Sequence, residues 1–267
     1  MGGTKEKTEG GIMRSLFHTS DSDSESDYDE NVQVSRHVEM IKDKDGEFEV
    51  VYHLDWGAPG HGDALWNSCR VIASLIMNGS SYLPSSPPSS ALEFGAGAAL
   101  PSMCLMKRGC PCVISTDQPG SDSTFTAISL SASTNASNWG VTNTVKPLPL
   151  KWGGSVESVM EVSGGRVDIL IASDCIYDPN YHVDLLDSAS ELISPEGTFI
   201  VGYSLHNNVP PASVEAFFEL ARGLGWRITG EIVERFERQN AAPWDESSTR
   251  GDVYVKFLVR GDEVDYR

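Results

Sequence analysis

The chain is 267 residues long and carries 38 Asp and Glu against 20 Lys and Arg, a formal net charge of −18. Phosphate backbones repel such a surface, so nucleic acid is disfavoured as a partner and a basic polypeptide is favoured. With 40% apolar residues there is material for one large core, and no apolar run is long enough to span a membrane or to act as a secretory signal.

Between Thr19 and Asn31 the chain is an unbroken run of Ser, Asp and Glu around Tyr28. Nothing there can bury apolar surface to offset the entropy of ordering, so residues 1–31 are expected to be a disordered acidic segment. A single domain then occupies 32–267, with an N-terminal extension over 32–90. Residues 32–54 alternate apolar and polar, and 47–52 is the clearest strand signal among them. After a Gly/Pro-rich loop over 55–62, Leu65, Trp66, Val71, Ile72, Leu75 and Ile76 recur near helical spacing, and Asn78-Gly79 ends that helix. A Ser/Pro linker follows over 80–90.

Strands and helices then alternate. The pattern predicts strands at 91–94, 112–116, 141–145, 167–172 and 198–203, with helices at 101–108, 123–138, 181–193 and 211–224. Such alternation implies a mostly parallel sheet with helices on both faces, a doubly wound Rossmann-like α/β fold. The last two strands, 227–236 and 253–259, have no helical pattern between them. The seven-stranded sheet should therefore end in an antiparallel β-hairpin. The cysteines (Cys69, Cys104, Cys110, Cys112 and Cys175) are odd in number and set among apolar residues, which suits reduced, buried thiols in the cytosol or nucleus. Cys110 and Cys112 stand too close for a Cys-x-x-Cys pair and no His lies at zinc spacing, so no metal is expected.

The chemical signals sit at strand ends. Leu92-Glu93-Phe94-Gly95-Ala96-Gly97-Ala98-Ala99-Leu100-Pro101 reads as a strand, a Gly-x-Gly turn and a helix with proline in its first turn. Glycines let the backbone pass close to a ligand, and the helix N-terminus would add exposed N–H donors. Asp117 ends the next strand, where an acid can accept both ribose hydroxyls. Ser173-Asp174 closes the strongest buried strand, so a nucleotide site at the switch point of the sheet is expected. Three details favour S-adenosyl-L-methionine over a dinucleotide. Leu100 stands where the dinucleotide fingerprint has Gly or Ala; Glu93 suits the methionine ammonium and would repel a pyrophosphate; and the terminal antiparallel pair leaves no second substrate domain.

These segments resemble the seven-β-strand methyltransferases, and within them the lysine-methyltransferase-like group. Leu92–Gly97 is similar to its Glu-x-Gly-x-Gly motif, Leu65-Trp66-Asn67 to an upstream aromatic motif, and Ser115-Thr116-Asp117-Gln118-Pro119 to the ribose-binding segment. Lys151-Trp152-Gly153 looks like the Trp-Gly turn at the adenine edge, and Ser173-Asp174-Cys175-Ile176-Tyr177 like the Asp-x-x-aromatic motif. The resemblance implies that Trp66, Glu93, Gly95, Ala96, Gly97, Asp117, Trp152 and Ser173 bind the cofactor and that Asp174 and Tyr177 steer the acceptor amine. It extends to the fungal-type subfamily that methylates the N-terminus and adjacent lysine of elongation factor 1A, also labelled nicotinamide N-methyltransferase-like. That subfamily tends to show His followed by Arg-Pro after the fifth strand, whereas Leu205-His206-Asn207-Asn208 stands here, and the loop over 56–66 looks longer.

The expected reaction is transfer of a methyl group to a lysine or N-terminal amine of a protein, by a cytoplasmic monomer with neither nucleic acid nor membrane as partner. A small-molecule N-methyltransferase, a catalytically silent cofactor-binding scaffold and a dehydrogenase are the alternatives. Trp56 and His206 are further candidates for lining the pocket.

Overall fold

A computed structural model describes residues 34–55, 64–205, 210–235 and 252–261. The acidic segment, Trp56 and His206 lie outside the described residues. The alternating stretch before the linker forms two strands, β1 (Val34–Asp43) and β2 (Gly46–Asp55), paired antiparallel with Asp43 opposite Gly46. The turn closes because Gly46 takes φ +145° and Asp43 Oδ1 accepts the Asp45 N–H at 2.8 Å. This hairpin is a separate two-stranded sheet. Helix α1 (Asn67–Asn78) follows and ends at Gly79.

The main body comprises β3 (Ser90–Phe94), α2 (Leu100–Lys107), β4 (Cys112–Asp117), α3 (Asp122–Trp139), β5 (Val145–Pro149), α4 (Glu157–Ser163) and β6 (Val167–Ser173). It continues with a 3-10 turn (Pro179–Tyr181), α5 (His182–Leu192), β7 (Ile193–Ser204), α6 (Pro211–Gly223), β8 (Trp226–Arg235) and β9 (Asp252–Arg260). The seven strands lie in the order β5-β4-β3-β6-β7-β9-β8, and β9 runs antiparallel to both β7 and β8. The doubly wound seven-stranded sheet with a closing antiparallel pair is as the sequence implies.

Alternation along the strands builds two cores. Ala91, Ile169, Ile171 and Ile200 face one layer with α1, α2 and α3, whereas Leu92, Phe94, Leu170, Ala172 and Phe199 face the other with α4, α5 and α6. Because β4 and β6 pair with opposite edges of β3, the chain reverses its direction of travel across the sheet there. The crevice beyond the carboxyl ends of β3 and β6 is the place where this topology binds ligands.

Two expectations are corrected. The strand expected at 141–145 forms at Val145–Pro149 instead. Asn143 donates to the carbonyls of Met106 and Cys110 at 2.9 and 2.8 Å, which ties the preceding residues to the end of α2. Pro147 and Pro149 are tolerated because β5 is an edge strand. Helix α4 was not expected: it is short, buries Val159 and stops at Gly164 with φ +75°. No helix of the described residues is long and apolar enough to cross a membrane.

Candidate active site

Gly95 and Gly97 leave β3 with φ +52° and +47°, a left-handed conformation that favours glycine. At Gly95 space is also short, since a Cβ would lie 3.0 Å from Cys175 Sγ and 3.5 Å from Trp152 Cζ2. The Ala96 N–H donates to the Thr116 carbonyl at 2.9 Å, and the Gly97 N–H to Asp117 Oδ2 at 3.2 Å. Asp117 also accepts the Gln118 N–H on Oδ1 at 2.8 Å. A carboxylate has about four acceptor sites, so two protein donors leave room for a pair of ribose hydroxyls. Desolvation raises the Asp117 pKa above the usual carboxylate range.

The start of α2 departs from the sequence reading. Ala99 enters the helix with φ +52°, Pro101 has no N–H, and the Ser102 N–H donates to Glu93 Oε2 at 3.1 Å. Ser102 Oγ donates to the same oxygen at 2.6 Å. Of the donors expected to face a ligand, the Ser102 N–H is thus taken up by Glu93 and the Ala99 N–H by the Ala96 carbonyl. A pyrophosphate would find a carboxylate where it needs N–H groups.

Glu93 is 1% exposed, and its Oε1 is buried without a hydrogen-bond partner. Burial pushes its pKa up to about 8, with Asp117 adding to the rise and the Ser102 hydrogen bonds opposing it. A buried acceptor lacking a donor, beside a glycine turn and a second carboxylate, fits the cationic methionine end of S-adenosylmethionine. Asp117, with acceptor sites to spare, and the glycine turn fit its nucleoside.

Trp66 and Trp152 come from opposite layers. Trp66 is the residue before α1 and packs half-buried against the core of the α1–α3 layer. Trp152 packs against the α4–α6 layer, close to Gly95, and meets Tyr181 edge-on at 6.3 Å between ring centroids. The turn carrying Trp152 is locked: the Gly153 N–H donates to Ser188 Oγ at 2.9 Å, and a Cβ on Gly153 would lie 2.8 Å from Asp184 Oδ1.

Asp174 leaves β6 with φ +52°, one of two non-glycine residues at positive φ among those described. The Ser204 N–H donates to its Oδ1 at 2.9 Å, and Ser68 Oγ donates to its Oδ2. Ser68 also bonds Ser173 Oγ. Since the Ser68 proton goes to the carboxylate, Ser173 donates to Ser68, and α1 thereby orients the end of β6. Sequence reasoning missed Ser68; its position just after Leu65-Trp66-Asn67 was the available signal. Tyr177 stands 40% exposed three residues beyond Asp174, and its phenol pKa is raised by partial burial first and by nearby anions second.

A ligand at this switch point meets the carboxyl groups of Glu93 and Asp117, the surroundings of a cationic nucleoside, and the fold is that of an S-adenosylmethionine-dependent methyltransferase. A model of the lysine methyltransferase family matches residues 45–222, about two thirds of the chain, and the chain belongs to that family. It is 28% identical to the protein N-terminal and lysine N-methyltransferase EFM7 of Yarrowia lipolytica, over 55% of this chain and 58% of that protein's length. The same-named protein of Aspergillus fumigatus is 27% identical over 77% of this chain and 78% of its own. A putative methyltransferase from Streptococcus mutans shares the fold, with TM-score 0.56 and 14% identity over 83% of this chain and 55% of that one. So does ribosomal protein L11 methylase from Lactobacillus delbrueckii, with TM-score 0.50 and 15% identity over 78% and 84%.

Proposed function

We propose that the chain methylates a protein amine, a lysine or an N-terminus, with elongation factor 1A as substrate, as a cytoplasmic monomer. The observation that carries this reading is Asp174: a carboxylate in a left-handed conformation, oriented from two sides, at the end of the strand beside the glycine turn. Strain of this sort, roughly 1–3 kcal/mol, persists where surrounding structure enforces it and clusters at functional sites. The names of the fungal relatives and the likeness of the Leu-Trp-Asn, Trp-Gly and Asp-x-x-Tyr segments support a protein acceptor.

S-adenosylmethionine supplies an activated methyl group on a sulfonium. Trp66, Glu93, Gly95, Ala96, Gly97, Asp117, Trp152 and Ser173 hold and orient it in this reading. Asp174 and the Tyr177 hydroxyl steer the incoming amine. A lysine amine, with an unperturbed pKa of about 10.4, must be neutral to attack, and desolvation beside a cationic sulfur lowers that value. Positioning then supplies much of the rate, on the order of 7–11 kcal/mol at its upper range.

The test uses S-adenosylmethionine with an isotopically labelled methyl group and elongation factor 1A purified from cells lacking this protein. Mass spectrometry should place the label on the N-terminal amine or a lysine. An unlabelled elongation factor beside a labelled small molecule such as nicotinamide would contradict the proposal.

A further inference from the structure

The segment 167–221 holds nine Asp and Glu (positions 168, 174, 178, 184, 187, 191, 196, 215 and 219) and no Lys or Arg; Arg222, just beyond it, pairs with Glu215 and Glu219 at 3.6 and 2.6 Å, which leaves the acids up to Glu191 to set the charge beside the site. It includes the ends of β6 and β7, one wall of the candidate active site. Along this wall apolar side chains stand in solvent: Tyr177, Tyr181 and Val183 are 40%, 49% and 50% exposed. Exposed aromatic and aliphatic groups clustered beside a reactive centre mark a contact surface. The stretch is held in shape, since Asp178 Oδ1 accepts the Asn180 N–H at 3.0 Å and Tyr181 packs edge-on against Trp152.

Acid continues the surface away from the site. Val183, Asp187 and Glu191 are all exposed and fall at i, i+4 and i+8 on α5, so they share one face of that helix. Asp187 lies about 6 Å beyond Val183 along the axis and Glu191 about 12 Å. The arrangement therefore runs from Asp174, past two tyrosines and a valine, to an acidic stripe.

We infer that this face, from Tyr177 through Glu191, binds the polypeptide flanking the acceptor amine, and that it selects substrates with Lys or Arg several residues from the methylated position. The inference rests on the reading that the acceptor is a protein amine. Apolar contacts near the mouth anchor the segment and the stripe reads its charge. An extended peptide covers about 12 Å in roughly four residues, which sets the spacing between the apolar anchor and the basic residues.

The test compares two peptides with the full-length enzyme: one with a single acceptor lysine and arginines beginning about four residues away, the other with glutamates in those places. The double substitution Asp187→Lys with Glu191→Lys should raise KM for the arginine peptide tenfold or more and lower it for the glutamate peptide. KM for S-adenosylmethionine and the melting temperature should not move. Val183→Ala should raise KM for both peptides while calorimetric cofactor affinity is kept. An unchanged KM for the arginine peptide in the charge-reversed variant would overturn the inference while leaving a protein acceptor standing. A wild-type enzyme that methylates a small amine and neither peptide nor protein would overturn both.

Discussion

Glu93 has one carboxylate oxygen engaged by Ser102 and the other buried without a partner. With its pKa raised from 4.5 to about 8, the folded protein without cofactor holds this carboxyl protonated at neutral pH. Its contribution to stability is full below the unfolded value of 4.5 and is lost as pH rises through about 8. A cationic ligand favours the carboxylate, so cofactor binding near pH 7 should release about one proton. Calorimetry in buffers of different ionisation enthalpy reads this directly. Glu93→Gln should abolish the release, and identical proton counts in the two proteins would refute the assignment. Ser68 makes a parallel case. Removing a hydrogen bond to a charged group costs about 1.5–3 kcal/mol, so Ser68→Ala should lower kcat by roughly 10- to 100-fold, a larger effect than that on cofactor affinity through Ser173. Turnover equal to wild type would show that orientation of Asp174 from α1 is without consequence.

At the scale of elements, the β1–β2 hairpin is attached by side chains. Asn135 on α3 bonds both the N–H and the carbonyl of Val51, at 2.9 and 2.6 Å, and Ser131 Oγ accepts the His53 N–H at 2.9 Å. Arg70 on α1 reaches both oxygens of Glu39 at 2.8 and 3.1 Å. His53 is buried, and burial first, then Arg36 and His37, lower its pKa from 6.5 to about 4. The unfolded state therefore binds more protons between pH 6.5 and 4, and docking weakens as pH falls through that window. Hydrogen exchange should show the amides of Val51 and His53 losing protection there before those of β3 and β6. Simultaneous loss across both sheets would count against an acid-labile hairpin.

The main sheet was legible where periodicity is strong. Residues 167–172 are an apolar run with one Asp near the start, and that run forms the central strand β6, which ends at Ser173. The site glycines and Asp117 were legible because turn chemistry is local. The position of β5 was not, since Asn143 and the neighbouring strand decide it, and neither contact is written in local propensity. The expectation that Glu93 meets the methionine ammonium came from its charge and place before the glycine turn; its bond to Ser102 becomes visible only when β3 and α2 are folded together.

Across the whole molecule, the order β5-β4-β3-β6-β7-β9-β8 brings residues distant in sequence to one crevice. Ser68 on α1, Glu93 on β3, Asp117 at the end of β4 and Asp174 just beyond β6 are each held by hydrogen bonds around the ends of those strands. Asp178, Asp187 and Glu191 place part of the negative charge beside that crevice, where it would steer basic partners at low ionic strength. The most direct test of the account is calorimetric titration of S-adenosylhomocysteine into the wild-type protein and Gly97→Arg, with NAD as control. Wild type should bind one equivalent of S-adenosylhomocysteine and no NAD, while the folded variant, checked by circular dichroism, should bind neither. Wild-type affinity in folded Gly97→Arg would contradict the placement of the cofactor at this turn.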